Sequence, residues 1–251
     1  MNALLQLSIY LVLLLLLAWP LGVTMARIYQ GNLPRLLRPF HPLERLFYRL
    51  AGVDEEQEMT WQQYAIALLL FNAAGFLVVY LLLRLQAWLP LNPDGLTAVS
   101  PELALNTAVS FASNTNWQFY GGETTLSYLT QMLGLTVQNF LSAASGMAVL
   151  VALIRGLSRQ RTDKLGSFWV DVTRSVLYIL LPLSLLLALL LVSQGVVQTF
   201  SGAETAVLLD PTTTADGTAV ATQSIARGPA ASQIAIKQLG TNGGGFFNVN
   251  S

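Results

Sequence analysis

The sequence predicts an all-α membrane protein, and two observations carry this prediction: the composition and four long apolar stretches. Of the 251 residues, 53% are hydrophobic and only 10% are charged, whereas a typical soluble domain has about 25% charged residues. A chain with so few charges cannot cover a globular surface with polar groups, so lipid is its natural solvent. A transmembrane helix needs roughly 20 mostly apolar residues. Stretches of that length lie at residues 4–24, 64–88, 126–154 and 172–197.

The residue types present exclude several classes of function. The formal net charge is +0, which gives no reason to expect a nucleic-acid partner. The sequence has no cysteine, so disulfides, thiolate metal sites and a cysteine nucleophile are excluded. It has one histidine, His41, and therefore no histidine-based metal cluster. Because it also lacks a nucleotide-binding motif or a catalytic constellation, we expect neither an enzyme active site nor a bound cofactor.

The distribution of basic residues predicts the orientation of the spans, because Lys and Arg are enriched in cytoplasmic loops. They cluster between the first and second stretches and around the third connection, at Arg27, Arg35, Arg38, Arg45 and Arg49 and at Arg155, Arg159, Arg161, Lys164 and Arg174. No Lys or Arg lies between Arg84 and Arg155. We therefore expect these two connections in the cytoplasm, with the N-terminus and the tail after the fourth span outside. A cleaved signal peptide is the alternative for the first stretch, but no basic residue precedes it.

The connection between the second and third stretches has the pattern of a re-entrant pore loop. Ser100, Pro101 and Glu102 are typical of a helix start. The apolar run 103–111 is too short to cross a bilayer, and a polar segment follows it. Non-helical backbone at membrane depth is tolerated where it lines a water-filled cavity, and its free carbonyl groups favour a cation. No Asp or Glu lies between Glu102 and Glu123, which argues against a divalent ion.

The same pattern recurs near the end of the sequence. A Gly-Pro pair opens a short helix over 230–239, and the segment GTNGGGFF follows it. Laying SNTNWQFY over GTNGGGFF pairs Asn114 with Thr241 and Asn116 with Gly243. A Gly-rich run is also typical of a plain turn or of a phosphate-binding loop, although the latter needs a lysine or a helix N-terminus after the glycines. Internal repeats are common in transport proteins, so two loops at matching positions favour an ion path.

The third apolar stretch is unusually polar for a membrane helix. Its polar residues include Gln131, Gln138, Asn139, Ser142 and Ser145. Small and polar residues of this kind allow helices to pack closely and to hydrogen-bond to one another. The alternative is that they line a water-filled vestibule.

Three segments carry a resemblance to a known family: NTAVSFASNTNWQFYGGETTLSY, QMLGLTVQNFLSAASG and IKQLGTNGGGFFNVNS. They resemble the A subunit of the bacterial Kdp potassium-transporting ATPase, over essentially the whole chain. The resemblance implies a potassium-channel-like fold of the superfamily of K⁺ transporters, with an extra first transmembrane helix followed by helix–pore-loop–helix repeats around a pseudo-fourfold axis. Each repeat supplies one wall of a selectivity filter. The implied potassium ligands are Asn114, Thr115 and Asn116 in the first wall and Thr241, Asn242 and Gly243 in the second, with Gln118 and Gly244 just beyond them.

The resemblance also implies the domain organisation. Residues 1–60 form the extra helix and a cytoplasmic loop, residues 61–160 the first repeat, and residues 161–251 an incomplete second repeat. The sequence stops soon after the second loop, and a fragment, a truncated reading frame and one piece of a split gene all fit this. We expect residues 201–222 to be an exposed outer loop of variable length.

In function, the resemblance implies a potassium-binding and potassium-translocating subunit of an ATP-driven high-affinity uptake complex in the bacterial inner membrane. Potassium is the transported substrate, and ATP is hydrolysed by a partner P-type ATPase, the B subunit of a complex that also contains a C subunit and a small F subunit. We expect the 251-residue chain to be inactive alone. The alternatives are a stand-alone potassium channel or secondary transporter of the same superfamily, and a membrane scaffold that transports nothing.

Overall fold

The computed structural model describes residues 2–160 and 162–247, and this part of the chain is mostly helical, as predicted. Its four longest helical segments are apolar enough to cross a membrane: Ala3–Tyr29, Trp61–Trp88, Thr130–Ser158 and Phe168–Ser193. These are the four predicted spans. The first is the helix α1 (Ala3–Tyr29), which is followed by a 3-10 turn over Arg35–Phe40 and a short helix α2 (His41–Ala51). The second consists of α3 (Trp61–Leu85) and a 3-10 turn.

Two short helices occupy the predicted half-helix positions. The first, α4 (Pro101–Ala112), begins at an N-cap in which Ser100 Oγ accepts a hydrogen bond from the Leu103 amide. A single turn, α5 (Gly122–Thr125), leads towards the third span. That span consists of a π-helical stretch over Thr130–Thr136 and α6 (Val137–Ser158). The fourth span consists of α7 (Phe168–Arg174), a π-helical stretch over Ser175–Leu180, and α8 (Leu181–Ser193). The second half-helix, α9 (Ala230–Leu239), has the predicted bounds.

The predicted bounds of the third and fourth spans, 126–154 and 172–197, are wrong by about one helical turn. The third span begins later because Ser127 Oγ accepts a hydrogen bond from the Thr130 amide and so caps the helix. The fourth ends earlier because Gly195 adopts a left-handed conformation, with φ +89°, and closes a Schellman turn in which the Val196 amide donates to the Leu191 carbonyl. The apolar composition extends before the start of the third span and beyond the end of the fourth, so hydropathy did not indicate either position.

The predicted outer loop at 201–222 is exposed, but it is largely a β-hairpin. Strand β1 (Glu204–Thr213) pairs antiparallel with β2 (Ala219–Ile225), and the register shifts between Val207 and Thr212. Gly217, with φ +85°, turns the chain. The β-branched residues of the segment favour strands, and the Asp-Gly pair is a hairpin signal.

Helix α6 packs at the centre of the fold, against α3, α4, α7 and α9. Small residues allow this close approach: Ala144 and Ala148 are fully buried in the core with Tyr64 and Phe168. The Tyr64 hydroxyl donates to the Ala148 carbonyl over 2.8 Å. The half-helices and the loops that follow them are thereby held against the third span.

Candidate ion-binding loops

Both half-helices end in the same turn. After α4, Asn114 adopts φ +61°, and the Thr115 amide donates to the Ser110 carbonyl over 3.1 Å. After α9, Thr241 adopts φ +55°, and the Asn242 amide donates back five residues to the Lys237 carbonyl over 3.0 Å. The left-handed conformation is a genuine outlier for a β-branched residue such as Thr241. The first two residues of each loop therefore form the same backbone turn, as the pairing of Asn114 with Thr241 predicts.

The next predicted pair, Asn116 and Gly243, does not share a backbone conformation. Asn116 is left-handed, with φ +58°, whereas Gly243 is not. A left-handed backbone conformation therefore does not explain the glycine at position 243. Glycine is required for a different reason: a Cβ atom there would lie 2.2 Å from the Thr115 carbonyl oxygen.

The two loops lie side by side and are joined by hydrogen bonds. The Gln118 side chain bonds twice to the Gly245 backbone: Nε2 donates to its carbonyl over 2.9 Å, and Oε1 accepts from its amide over 2.7 Å. Asn242 Nδ2 donates to Asn114 Oδ1. A Cβ atom on Gly244 would lie 2.7 Å from the Asn116 carbonyl oxygen. The structure thus brings all eight predicted site residues together, although they come from segments more than 120 residues apart.

Seven backbone carbonyl groups along these loops accept no hydrogen bond from the described residues. Within residues 2–160 and 162–247, no N–H or O–H group donates to the carbonyl oxygens of Asn114, Thr115, Asn116, Thr241, Asn242, Gly243 or Gly244. Asn116, Asn242 and Gly244 are buried, and most buried carbonyl groups in proteins have a hydrogen-bond partner. A run of unpaired carbonyls on two adjacent loops is what a dehydrated cation requires, because these oxygens can replace its water shell.

The loops themselves carry no charged side chain, and the flanking Glu123 and Lys237 have opposite signs. In the described part of the chain, no three His, Cys, Asp or Glu side chains are grouped to hold a metal ion. Burial raises the pKa of Tyr120 to about 12, so the phenol that lies beside Gln118 is neutral. Uncharged oxygen donors suit an alkali cation better than a divalent ion, which usually recruits carboxylates.

The third span holds the loops in place through hydrogen bonds from its buried polar side chains. Asn139 Oδ1 accepts from Asn116 Nδ2, Ser142 Oγ donates to Asn114 Oδ1 over 2.8 Å, and Gln131 Nε2 donates to the Phe246 carbonyl over 2.9 Å. The signal in the sequence was the presence of buried polar residues in a membrane helix, but nothing there indicated their partners.

The structure confirms close helix packing, one of the two interpretations of this polar helix. Gln138 packs closely on Gly75 of α3, where an added Cβ would lie 2.6 Å from its Oε1. Ser142 and Ser145 instead line a cavity of about 910 Å³, together with Asn114 and Thr241. The cavity lies at the C-terminal ends of both half-helices, whose partial negative charge favours a cation.

Two serines of α6 provide a matched test of the brace. Both are buried, but Ser142 Oγ donates to the first loop, whereas Ser145 Oγ donates to the Leu141 carbonyl of its own helix. In the full-length protein, we expect Ser142→Ala to weaken ion binding severalfold, because a net hydrogen bond contributes about 1 kcal/mol. Ser145→Ala should weaken it less, because Ser145 makes no contact with either loop. Equal effects in an ion titration would mean that Ser142 does not position the loop.

Comparison with known proteins gives a consistent result. The profile of the potassium-transporting ATPase A subunit family matches residues 8–251. The chain is similar to proteins named potassium-transporting ATPase potassium-binding subunit, with 64% identity over 250 residues to that of Herpetosiphon aurantiacus and 66% over 247 residues to that of Sorangium cellulosum. The relative from Methylococcus capsulatus is 58% identical over 270 residues.

These alignments cover 98–100% of the chain but only 43–45% of the relatives. The chain therefore spans less than half the length of the curated relatives it matches, and corresponds to their N-terminal part. Both candidate loops lie within the matched region, although Asn248 and the residues after it fall outside those that the structure describes.

Proposed function

The chain belongs to the potassium-transporting ATPase A subunit family, and on this premise we propose that it supplies two walls of a potassium filter. The observation that carries the proposal is a run of carbonyl groups, on two adjacent uncharged loops, that accept no hydrogen bond from residues 2–160 and 162–247. The full-length protein would bind potassium there and pass it through the membrane. Its relatives are named potassium-binding subunits of a potassium-transporting ATPase, which supports this assignment.

In this proposal, the backbone oxygens of Asn114, Thr115 and Asn116 and of Thr241, Asn242 and Gly243 coordinate the ion. The side chains of Asn114, Asn116 and Asn242 hold the two loops in place. Gln118 acts as a brace rather than a ligand, because both polar atoms of its amide are bonded to Gly245. Gly244 is required where the second loop passes the Asn116 carbonyl. Potassium is substrate, and no cofactor takes part.

We further propose that ATP hydrolysis takes place in a partner P-type ATPase, the B subunit, and that a C subunit and a small F subunit complete the complex in the bacterial inner membrane. The division at residues 60 and 160 into an extra helix and two repeats remains a prediction. The alternative function is a channel or secondary transporter of the same superfamily. Co-purification of an ATPase with the full-length protein supports the pump, and its consistent absence supports the alternative.

The proposed orientation can be tested by cysteine labelling. Single cysteines replace Asn32, between the first two spans, and Thr162, between the third and fourth. We expect both to be shielded from an impermeant thiol reagent added outside intact cells, because basic loops stay in the cytoplasm. A cysteine at Thr213, in the hairpin, should be labelled under the same conditions. Ready labelling at both Asn32 and Thr162 would overturn the orientation.

The proposed filter can be tested by complementation. A polypeptide of these 251 residues should not restore the growth of potassium-uptake mutants at low potassium, because a carbonyl filter needs oxygens around the whole ion. Co-expression with the remaining part of a full-length relative should restore it, and the same pair carrying Gly243→Asp should not. Rescue by the 251 residues alone would contradict the proposal that they supply only part of the filter.

A further inference from the structure

The segment between the first two spans contains a basic pocket that the potassium site does not use. The pocket has a volume of about 660 Å³ and lies where α1 ends, lined by Arg27, Arg35 and Arg38. A Schellman turn forms it: Gly31 has φ +80°, and the Asn32 amide donates to the Arg27 carbonyl over 2.8 Å. The turn folds the chain back, so that the arginine in the last turn of α1 faces the two arginines of the 3-10 turn.

The three guanidinium groups have no counter-charge among the described residues. All three side chains are exposed, and none forms an ion pair or hydrogen bond within residues 2–160 and 162–247.

The remaining titratable group of the pocket is His41, whose Nδ1 lies 3.0 Å from Glu44 Oε2. Arg174 and two tyrosines also bond to that carboxylate. Burial raises the pKa of Glu44, but these hydrogen bonds outweigh it and lower the value to about 2. The carboxylate of Glu44 is therefore hydrogen-bonded to other residues and does not pair with the three arginines of the pocket.

Helix α2, beside the pocket, leaves an apolar face uncovered. Leu43, Leu46, Phe47 and Leu50 follow the i, i+3, i+4, i+7 spacing of one helix face, and all are exposed, from 38% for Leu43 to 75% for Leu50. The adjacent face, with the fully buried Glu44, holds the helix to the fourth span. A short helix with an open apolar face and arginines on its other faces is typical of one that lies in the membrane interface.

We propose that this pocket binds the headgroup phosphate of an anionic phospholipid of the cytoplasmic leaflet, while α2 lies in the interface with its apolar face among the acyl chains. Guanidinium groups bind phosphate oxygens in pairs of parallel hydrogen bonds. The pocket lies at the end of a spanning helix, which is the level of the headgroups. One lipid accounts for both features, because its phosphate group meets the arginines and its acyl chains meet Leu46, Phe47 and Leu50. The inference rests on the proposed orientation and does not depend on the filter.

Lipid retention by the full-length protein in its complex tests the pocket. The detergent-purified complex is incubated with phosphatidylglycerol or phosphatidylcholine, and bound lipids are counted by native mass spectrometry. We expect Arg35→Gln/Arg38→Gln to weaken phosphatidylglycerol retention at least about tenfold, since each basic residue near the lipid contributes on the order of 1 kcal/mol. The matched control, Arg45→Gln/Arg49→Gln, removes two charges outside the pocket and should retain the preference for phosphatidylglycerol over phosphatidylcholine.

Equal losses of phosphatidylglycerol retention in both variants, or no loss in either, would overturn the proposal. Displacement of the lipid by millimolar inorganic phosphate would instead indicate a free-anion site and would also overturn it.

A photo-crosslinking amino acid at Phe47 identifies what covers α2. In membranes we expect adducts with phospholipid, and none from a control at the exposed Val207 of the hairpin. An adduct with another protein, or no adduct at all, would contradict the lipid site. The potassium dependence of ATPase activity in detergent is measured in parallel. Because the two readouts are independent, a failed lipid test with normal potassium dependence removes this inference and leaves the filter proposal standing.

Discussion

Replacement of Gly243 by aspartate in the full-length protein is expected to weaken potassium binding by about tenfold or more and to reduce the discrimination against rubidium and sodium. A Cβ atom at this position would lie 2.2 Å from the Thr115 carbonyl oxygen, which is far inside van der Waals contact. The two loops must therefore move apart, and the Thr115 oxygen shifts with them. Each 1.4 kcal/mol of lost coordination energy costs a factor of ten in affinity. The measurement is ATPase activity of the assembled complex, titrated with potassium and with rubidium.

Three further variants separate crowding at this position from the loss of glycine as such. Gly243→Ala adds only the Cβ atom and should already weaken potassium binding. Gly22→Ala makes the same change where a Cβ atom would meet nothing within 4 Å, and Thr213→Ser changes an exposed hairpin residue; both should have no effect. If Gly243→Asp leaves both the half-saturating potassium concentration and the ion preference unchanged, Gly243 is not in the filter and the second loop is misassigned.

Replacement of Asn139 by leucine is expected to weaken potassium binding to a similar degree without any contact with the ion. Asn139 is 1% exposed, and its Oδ1 accepts the hydrogen bond from Asn116 Nδ2. Asn116 Oδ1 is already buried without a partner among the described residues. The variant therefore leaves the whole Asn116 amide unsatisfied, at a cost of about 1–3 kcal/mol for each buried group. Because Asn116 is also held at φ +58°, we expect the first loop to relax away from its position.

Asn72→Leu is the matched control, since Asn72 also lies on a spanning helix but donates to the Leu68 carbonyl of that same helix. It should cost less in potassium affinity than Asn139→Leu. The two variants are compared by potassium titration of ATPase activity, with thermal unfolding of the complex as a check on folding. An Asn139→Leu effect no larger than that of Asn72→Leu would show that the hydrogen bond to Asn116 does not position the loop.

Features with a local cause were predictable from the sequence. The start of α4 follows from the Ser-Pro-Glu signal, and α9 has the predicted bounds of residues 230–239. The ends of the third and fourth spans were not predicted, because one capping side chain, Ser127, and one left-handed glycine, Gly195, decide them within a continuous apolar run. The hairpin was also missed, since its strands are exposed and their residues do not show the alternation of apolar and polar that marks a half-buried strand.

The sequence by itself determined the membrane class, the four spans, the two half-helices and the polar loops after them, because length, hydropathy and helix capping act within a few residues. Only the tertiary structure decided which contacts each residue of the two candidate loops makes. The partners of Asn116 and of Gln118 lie 23 and 127 residues away, and no periodicity in a sequence encodes such distant contacts. The requirement for glycine at Gly243 comes from the Thr115 carbonyl of the other loop. That constraint exists only after the packing of α4 and α9 against the third span has brought the two loops together.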